Sequence, residues 1–266
     1  MTAADAKIKL HWLNGSRAQA ILWLLEELEV PYELEVYHRQ PNFLAPPELE
    51  KIHPLGKSPL ITITTSDGDS KVLAESGFIM QYLCEHFGKG KSLVPKRWKD
   101  GQEGQLGGET EEWMRFQYTL YYSEGSFMPY AWLHLILSTI KGPAVPFFVR
   151  PISAMISNKV SSMLVYPNIK RHFTFLERQL ETSPNGGNYL AGEHLTAADI
   201  IMSYPLIAGK NSFNGMGQWE KGTIQETYPK AFAYISRLEN EPGWTRSADK
   251  IREIDGKFSV SPRDDI

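Results

Sequence analysis

A chain of 266 residues with 42% hydrophobic side chains is long enough for one large domain or two modest ones. Its formal charge of −3, with lysines and arginines scattered, leaves no electrostatic footprint for nucleic acid. The single cysteine, Cys84, excludes an internal disulfide, a CxxC redox pair and a cysteine-built zinc site. It fits a reducing compartment, and a cytoplasmic location is expected. Met1 to Lys7 lacks the apolar core of a secretory signal. No stretch approaches the roughly 18 to 20 apolar residues that cross a bilayer. The nearest, Ala131 to Ile140, is interrupted by His134, Ser138 and Thr139, so an integral membrane segment is not expected.

The first third alternates short β-type runs with helical ones. Lys7 to Trp12 alternates apolar and polar residues as a strand does, and Ala18 to Glu29 has helical spacing. Tyr32 to Tyr37 alternates again, and a long irregular connection follows. Leu60 to Thr64 and Lys71 to Ala74 flank Ser66-Asp67-Gly68-Asp69, whose Asp-Gly marks a hairpin. Ser76 to Phe87 reads as a helix stopped by Gly88. The order β-α-β then β-β-α predicts a mixed sheet with helices on its faces.

Residues 89–107 are rich in Gly, Lys and Pro and read as a linker, after which the strand signal disappears. Glu109 to Ile140 is one long helical stretch, and Ile152 to Leu180 a second, with a break expected at Pro167. Thr196 to Leu206 and Tyr228 to Glu239 supply two more. The predicted division is an α/β domain over 1–92, a linker over 93–107, an all-α domain over 108–254, and a charged, mobile tail over 255–266.

Three segments carry candidate chemistry. In His53-Pro54-Leu55-Gly56-Lys57-Ser58-Pro59-Leu60, Pro59 cannot sit inside a central strand, so it marks an edge or an entry. A strand edge there can pair with an extended peptide, more so if the Ser58–Pro59 bond is cis. By number alone, seventeen prolines give about one cis bond. Glu75-Ser76 precedes a helix. Ser76 is an ordinary helix cap, or the same N–H groups hold a ligand carboxylate while Glu75 faces an ammonium.

The third segment is Asn14-Gly15-Ser16-Arg17, at the C-terminal end of a strand, where ligands of α/β sheets gather. Ser16 or Asn14 caps the next helix, or one of them donates a hydrogen bond to a ligand thiolate. The second reading is energetically feasible. Lowering a thiol pKa from about 8.5 by two units takes about 2.7 kcal/mol. A hydrogen bond to a charged acceptor gives about 1.5–3 kcal/mol and a helix N-terminus about 0.3–1. No metal is needed. A fourth signature, Leu195-Thr196-Ala197-Ala198-Asp199-Ile200, has capping-box spacing at Thr196 and Asp199 and a staple at Leu195 and Ile200. It is structural.

Taken together, Gly56-Lys57-Ser58-Pro59-Leu60, Glu75-Ser76 and Leu195-Thr196-Ala197-Ala198-Asp199 give the chain, over about residues 7 to 250, a resemblance to the glutathione transferases. His11 to Arg17, Asn42 to Leu49 and Tyr122-Ser123-Glu124-Gly125-Ser126 look like a fungal and bacterial subgroup, the one that contains the first yeast glutathione transferase. The resemblance implies a thioredoxin-like N-terminal domain, an all-α C-terminal domain and a homodimer. It implies an enzyme that conjugates glutathione to hydrophobic electrophiles or reduces hydroperoxides, with glutathione as co-substrate and no metal. The other reading it allows is a non-catalytic or regulatory member of the same fold.

Carried onto this chain, Ser58 beside cis-Pro59 would pair with the cysteinyl part of glutathione, and Glu75 and Ser76 would hold its γ-glutamyl head. Lys57 and a residue of the Arg39 to Phe43 loop would face the glycyl carboxylate. At the usual thiol-activating position this chain has neither tyrosine nor cysteine. Ser16 is the first choice for activator, with Asn14 and Arg17 open. Trp113, Phe116, Tyr121 and Tyr122 are candidate walls of the acceptor pocket, or core and dimer packing.

Overall fold

The computed structural model describes residues 6–142 and 145–261. Four strands, β1 (Lys7–Leu13), β2 (Tyr32–Tyr37), β3 (Leu60–Thr64) and β4 (Ser70–Leu73), lie in the order β2-β1-β3-β4. β1 pairs parallel with β2 and antiparallel with β3, and β3 pairs antiparallel with β4. The Asp67-Gly68 hairpin forms as its turn residues dictate. Gly68 takes φ 88°, and the Thr65 N–H reaches the Asp69 carbonyl at 2.9 Å.

Alternation along β1 sorts its side chains. Ile8, Leu10 and Trp12 join Ile61 and Ile63 in the main core, under helices α1 (Ala18–Leu28) and α2 (Ser76–Phe87). Leu13 and Leu60, of opposite parity, meet Leu49 from a 3-10 turn at Pro47–Lys51. That turn lies within the connection expected to be irregular.

The helical part contains α3 (Glu111–Tyr122), α4 (Met128–Thr139), α5 (Arg150–Val160), α6 (Tyr166–Glu181), α7 (Ala197–Phe213), α8 (Ile224–Thr227), α9 (Pro229–Glu239) and α10 (Pro242–Asp255). α3 and α4 are one run, as the helical spacing from Glu109 to Ile140 predicts, joined through a π turn at Ser123–Phe127. α5 and α6 are joined the same way at Ser161–Val165. Each π turn ends two residues before a proline, Pro129 or Pro167. A proline has no N–H to donate, and its ring crowds the carbonyl one turn back. Widening the preceding turn by one residue accommodates both defects, so the expected break at Pro167 is a bulge.

α7 is buried on nearly all sides and interrupted by Pro205. Pro205 leaves the Ile201 carbonyl without its helical donor, and the Ser123 hydroxyl donates to that oxygen at 3.4 Å. Asp199 starts this helix and is fully buried. Its Oδ2 accepts from the Thr196 N–H (2.9 Å) and hydroxyl (2.6 Å), while Oδ1 accepts from the Leu190 N–H (3.0 Å) and the Tyr234 hydroxyl (2.8 Å). The capping box is therefore a four-bond tie between helix start, preceding loop and α9.

α10 is a helix that the sequence patterning did not reveal, and it fastens the two halves together. Trp23 of α1 meets Trp244 edge to face at 5.6 Å. A buried relay runs from the Trp12 indole N–H to Gln19 Oε1 (3.0 Å), from the Gln19 amide to Ser247 (2.9 Å), and from the Ser247 hydroxyl to the Trp244 carbonyl (2.7 Å). Every member is satisfied, as a buried polar network must be.

The tail expected to be mobile from residue 255 is packed over its first part. Phe258 lies edge to face on Trp244 at 5.8 Å and beneath the Arg252 guanidinium. The apolar Phe258 and Val260, both set against the core, explain the difference. The rest of that expectation, residues 262–266, lies outside the described residues, as do residues 1–5. Among the described residues, no helix is long and apolar enough to cross a membrane.

Candidate glutathione site

The site is assembled where β1 and β4 end and β3, α1 and α2 begin. The Ser58–Pro59 bond is cis. Ser58 is buried and its hydroxyl donates to the His11 carbonyl at 3.0 Å, tying the turn to the middle strand. Arg17, Lys57, Ser58, Pro59, Glu75 and Ser76 line one small cleft. The structure thus brings together six of the eight residues selected from the sequence. Lys57 and Glu75 stand at its exposed rim.

Ser76 is the first residue of α2 and does not cap it. Glu75 occupies the cap position with φ 71°, and neither it nor any acid in the first turn satisfies the leading N–H groups. The buried Ser76 Oγ has no hydrogen-bond partner among the described residues. A hydroxyl and the leading N–H groups of a helix thus face the same cleft, an arrangement suited to a carboxylate.

Ser16 and Asn14, just before Arg17, are not among the residues lining this cleft. Ser16 Oγ accepts from the Ala18 N–H at 3.2 Å, a short local cap, and the residue is buried. Its O–H hydrogen has no acceptor among the described residues, so it remains able to donate. Asn14 is part of the scaffold: its side-chain oxygen accepts from the Arg39 N–H at 2.7 Å. The Arg39 guanidinium donates to the carbonyls of Asn14 (3.1 Å), Gly15 (3.2 Å) and Phe43 (2.9 Å), holding the two loops together. Gly15, at φ 55°, permits the bend that presents these carbonyls.

Two residues from the helical part complete the site. Arg17 is paired with Glu124, carried by the π turn between α3 and α4. Burial raises the Glu124 pKa and the neighbouring Arg17 charge opposes the rise. The second Glu124 oxygen, Oε1, is buried without a hydrogen-bond partner among the described residues. Tyr204 of α7 donates to the Gly15 carbonyl at 2.9 Å, and burial pushes its phenol up to about 12. It acts as a neutral donor to the backbone. Cys84 is buried, its thiol raised to about 12, and is no nucleophile.

Sequence reasoning missed Glu124, Tyr204 and the clamping role of Arg39. A signal for the first was present: Glu124 is the last acidic residue before Glu177, in an otherwise apolar helical run. Trp113, Phe116, Tyr121 and Tyr122, the aromatic candidates for an acceptor wall, are not among the residues lining the two cavities that α4 borders. Phe116 and Tyr122 are core residues, Tyr122 stacking on Tyr118 at 5.6 Å; Trp113 lies under the Arg97 guanidinium, and Tyr121 is exposed. A cavity of about 490 Å³ opens instead between α4, α7 and the packed tail, lined by Trp132, Leu135, Tyr204, Phe258 and Val260. Trp132 and Leu135 also border a second cavity of about 200 Å³ that reaches Arg39 and Phe43. Tyr204 links the larger cavity to the Gly15 loop. Among the described residues, no three His, Cys, Asp or Glu side chains gather as a metal site.

Comparison with known proteins agrees with this geometry. The family model described as "Glutathione S-transferase, N-terminal domain" matches residues 7–85, and that described as "Glutathione S-transferase, C-terminal domain" matches residues 148–244. Glutathione S-transferase 1 of Saccharomyces cerevisiae is 35% identical over 252 residues, covering 94% of this chain and 98% of the yeast protein. A glutathione S-transferase structure from Actinobacillus pleuropneumoniae superposes with TM-score 0.64 at 28% identity, covering 96% of each chain. A glutathione transferase from Phanerochaete chrysosporium, solved with oxidised glutathione, shares the fold at TM-score 0.64 and 18% identity, covering 95% of this chain and 97% of its own. With both domain models and a relative matched along almost its whole length, the chain belongs to the glutathione S-transferase family.

Proposed function

We infer that this glutathione transferase binds the γ-glutamyl head of glutathione at Ser76, Glu75 and the Arg17–Glu124 pair, and joins glutathione through its sulfur to hydrophobic electrophiles. The observation that carries this reading is the unpartnered, buried Ser76 hydroxyl at the uncapped start of α2, beside cis-Pro59. An α-carboxylate would complete that donor set, and its ammonium would find Glu75 and the unpaired Glu124 oxygen. The peptide backbone of the cysteinyl residue would pair with Ser58, and Lys57 would meet the glycyl carboxylate. The sulfur then points toward Ser16, whose hydroxyl has a hydrogen to give. The thiolate attacks the electrophilic carbon, an S–C bond forms, and the leaving group departs with the electron pair of the broken bond. The cavity between α4, α7 and the tail takes the apolar body of the acceptor. The exposed Phe78 of α2 and Met114, Tyr118 and Tyr121 of α3 offer an apolar face for a homodimer.

Titrating the thiolate absorbance of bound glutathione, alongside turnover of chlorodinitrobenzene and cumene hydroperoxide, tests the assignment. Ser16→Ala is expected to raise the bound thiol pKa by about one to two units and to lower kcat/KM by about ten- to a hundredfold. An unchanged thiol pKa in Ser16→Ala removes Ser16 from the chemistry. Tight glutathione binding with no turnover on either substrate or on a wider electrophile panel would identify a binding protein instead.

A further inference from the structure

The outward face of α5 has the wrong polarity for a helix facing water. Its inward stripe is ordinary: Ser157, Ser161, Val165 and Ile169 are buried. The opposite stripe, Phe148, Ile152, Met155, Ile156 and Met163, recurs at three- and four-residue steps and is exposed at every position, Met155 and Met163 to 66%. Just before the helix, Phe147 and Phe148 stand edge to face at 5.6 Å and are 77% and 69% exposed. A contiguous exposed patch of this kind marks a contact surface.

The charges around the patch decide what covers it. Residues 125–176 contain no Asp or Glu, in a chain that holds 31. Of the basic residues in this span, Lys141, which donates to Asn158 of α5 at 2.7 Å, Arg150 and Lys159 lie on or beside α5, whereas Lys170 of α6 is paired with Glu220 at 2.8 Å. Lys159 is exposed on the stripe itself, between Ile156 and Met163. A second copy of the chain is a poor occupant, because a two-fold interface places the same patch on both sides. Such an interface would bring two copies of this acid-free span together and bury the exposed Lys159 ammonium of each among apolar side chains. An anionic lipid surface answers both features at once, taking the aromatic and methionine side chains among its acyl chains and the basic ones at its headgroups.

We propose that the α5 face, from Phe147 through Met163, docks the protein reversibly on anionic membrane surfaces, with α5 lying in the interfacial plane. This geometry leaves the glutathione cleft, built by the N-terminal strands and α2, free to turn over while the protein is bound. It also presents a cavity bordered by α4 to apolar electrophiles that partition into lipid.

Co-sedimentation of the full-length protein with phosphatidylcholine vesicles, with and without phosphatidylserine, tests the proposal. Binding is expected with the anionic vesicles, weaker by at least about tenfold with neutral ones, and reduced by added salt. Phe147→Ser with Phe148→Ser is expected to weaken anionic-vesicle binding by about tenfold or more. Lys159→Glu is expected to remove most of the preference for phosphatidylserine. Both variants should retain wild-type chlorodinitrobenzene turnover, which doubles as the control for folding. A wild-type protein that sediments with neither vesicle overturns the proposal, as does binding indifferent to all three substitutions. Light scattering that shows a smaller assembly for the Phe147/Phe148 variant than for wild type would make this face an interface between copies, and would overturn it equally.

Discussion

Arg17, the residue preceding α1, is paired with Glu124, the second residue of the π turn between α3 and α4, across the boundary between the two halves of the molecule. The pair is partly shielded, with about a quarter of each side chain exposed (27% and 23%). One Glu124 oxygen is committed to Arg17 and the other is buried without a hydrogen-bond partner among the described residues. A ligand ammonium placed against that oxygen would bring the carboxylate a second positive neighbour, and Arg17 would stay fixed. Glu124→Gln is expected to raise the Kd for glutathione about tenfold in calorimetry while leaving the thiol pKa of the bound form near wild type. A double-mutant cycle with Arg17→Ala should give a coupling of about 1–2 kcal/mol. Additive effects would show that the pair does not act as a unit.

Asp199 should dominate stability in the helical half. Its removal leaves the Leu190 and Thr196 N–H groups and the Tyr234 hydroxyl buried without acceptors. Asp199→Ala is expected to cost about 3–5 kcal/mol in urea unfolding. Asp199→Asn, which keeps one carbonyl oxygen, should cost clearly less.

Gly243 is where α10 comes closest to α1. A Cβ there would lie 1.8 Å from Glu27 Oε1 and 2.7 Å from Trp23 Nε1, in the middle of the 2.9 Å bond from that indole N–H to Glu27. The Glu27 side chain can swing aside, but Trp23 is wholly buried and cannot. Gly243→Ala is therefore expected to destabilise by about 1–3 kcal/mol and to lower the thermal midpoint. An unchanged midpoint would mean that α10 shifts freely.

Acid should destabilise the fold through two histidines. Burial lowers the pKa of His11, partly opposed by Glu35, and burial also lowers that of His172. A histidine with a depressed folded pKa is neutral in the native state, so the unfolded state takes up the proton first. Stability is full above the unfolded value near 6.5 and is lost as pH falls through it toward the folded values. The urea midpoint should drop between about pH 7 and pH 5, and His172→Gln should flatten part of that slope. A slope unaltered by the substitution would assign the acid sensitivity to other groups.

The fold was legible wherever one local rule governed. Alternation over Lys7 to Trp12 and Tyr32 to Tyr37 and the Asp67-Gly68 pair placed the sheet to within a residue or so. α10 was hidden because its buried positions, Gly243, Trp244, Ser247, Ala248 and Ile251, mix small and polar residues with apolar ones. Its packing depends on Gln19 and Trp23, more than two hundred residues earlier. The candidate site divided the same way. Ser58, Pro59, Glu75 and Ser76 are close in sequence and could be read together. The pairings of Arg17 with Glu124 and Gly15 with Tyr204 span 107 and 189 residues; the isolated acid Glu124 stands out in its apolar run, but nothing local names its partner. The aromatic residues of α3 could not be assigned because helical spacing names a buried face without saying whether core or cavity lies behind it.

The hydroxyl of Ser123 on the carbonyl that Pro205 leaves open makes two irregularities depend on each other. α7 has a gap in its ladder, the run through α3 and α4 has a turn one residue too wide, and a hydroxyl carried by the wide turn fills the gap. Glu124 sits next to Ser123, so the orientation of the carboxylate paired with Arg17 is set in part by a proline eighty-one positions downstream. Replacing Pro205 with a residue that closes α7 would strand the serine and loosen the carboxylate beside it, with no atom of the cleft itself altered. Evolution or design would have to change the two positions in step.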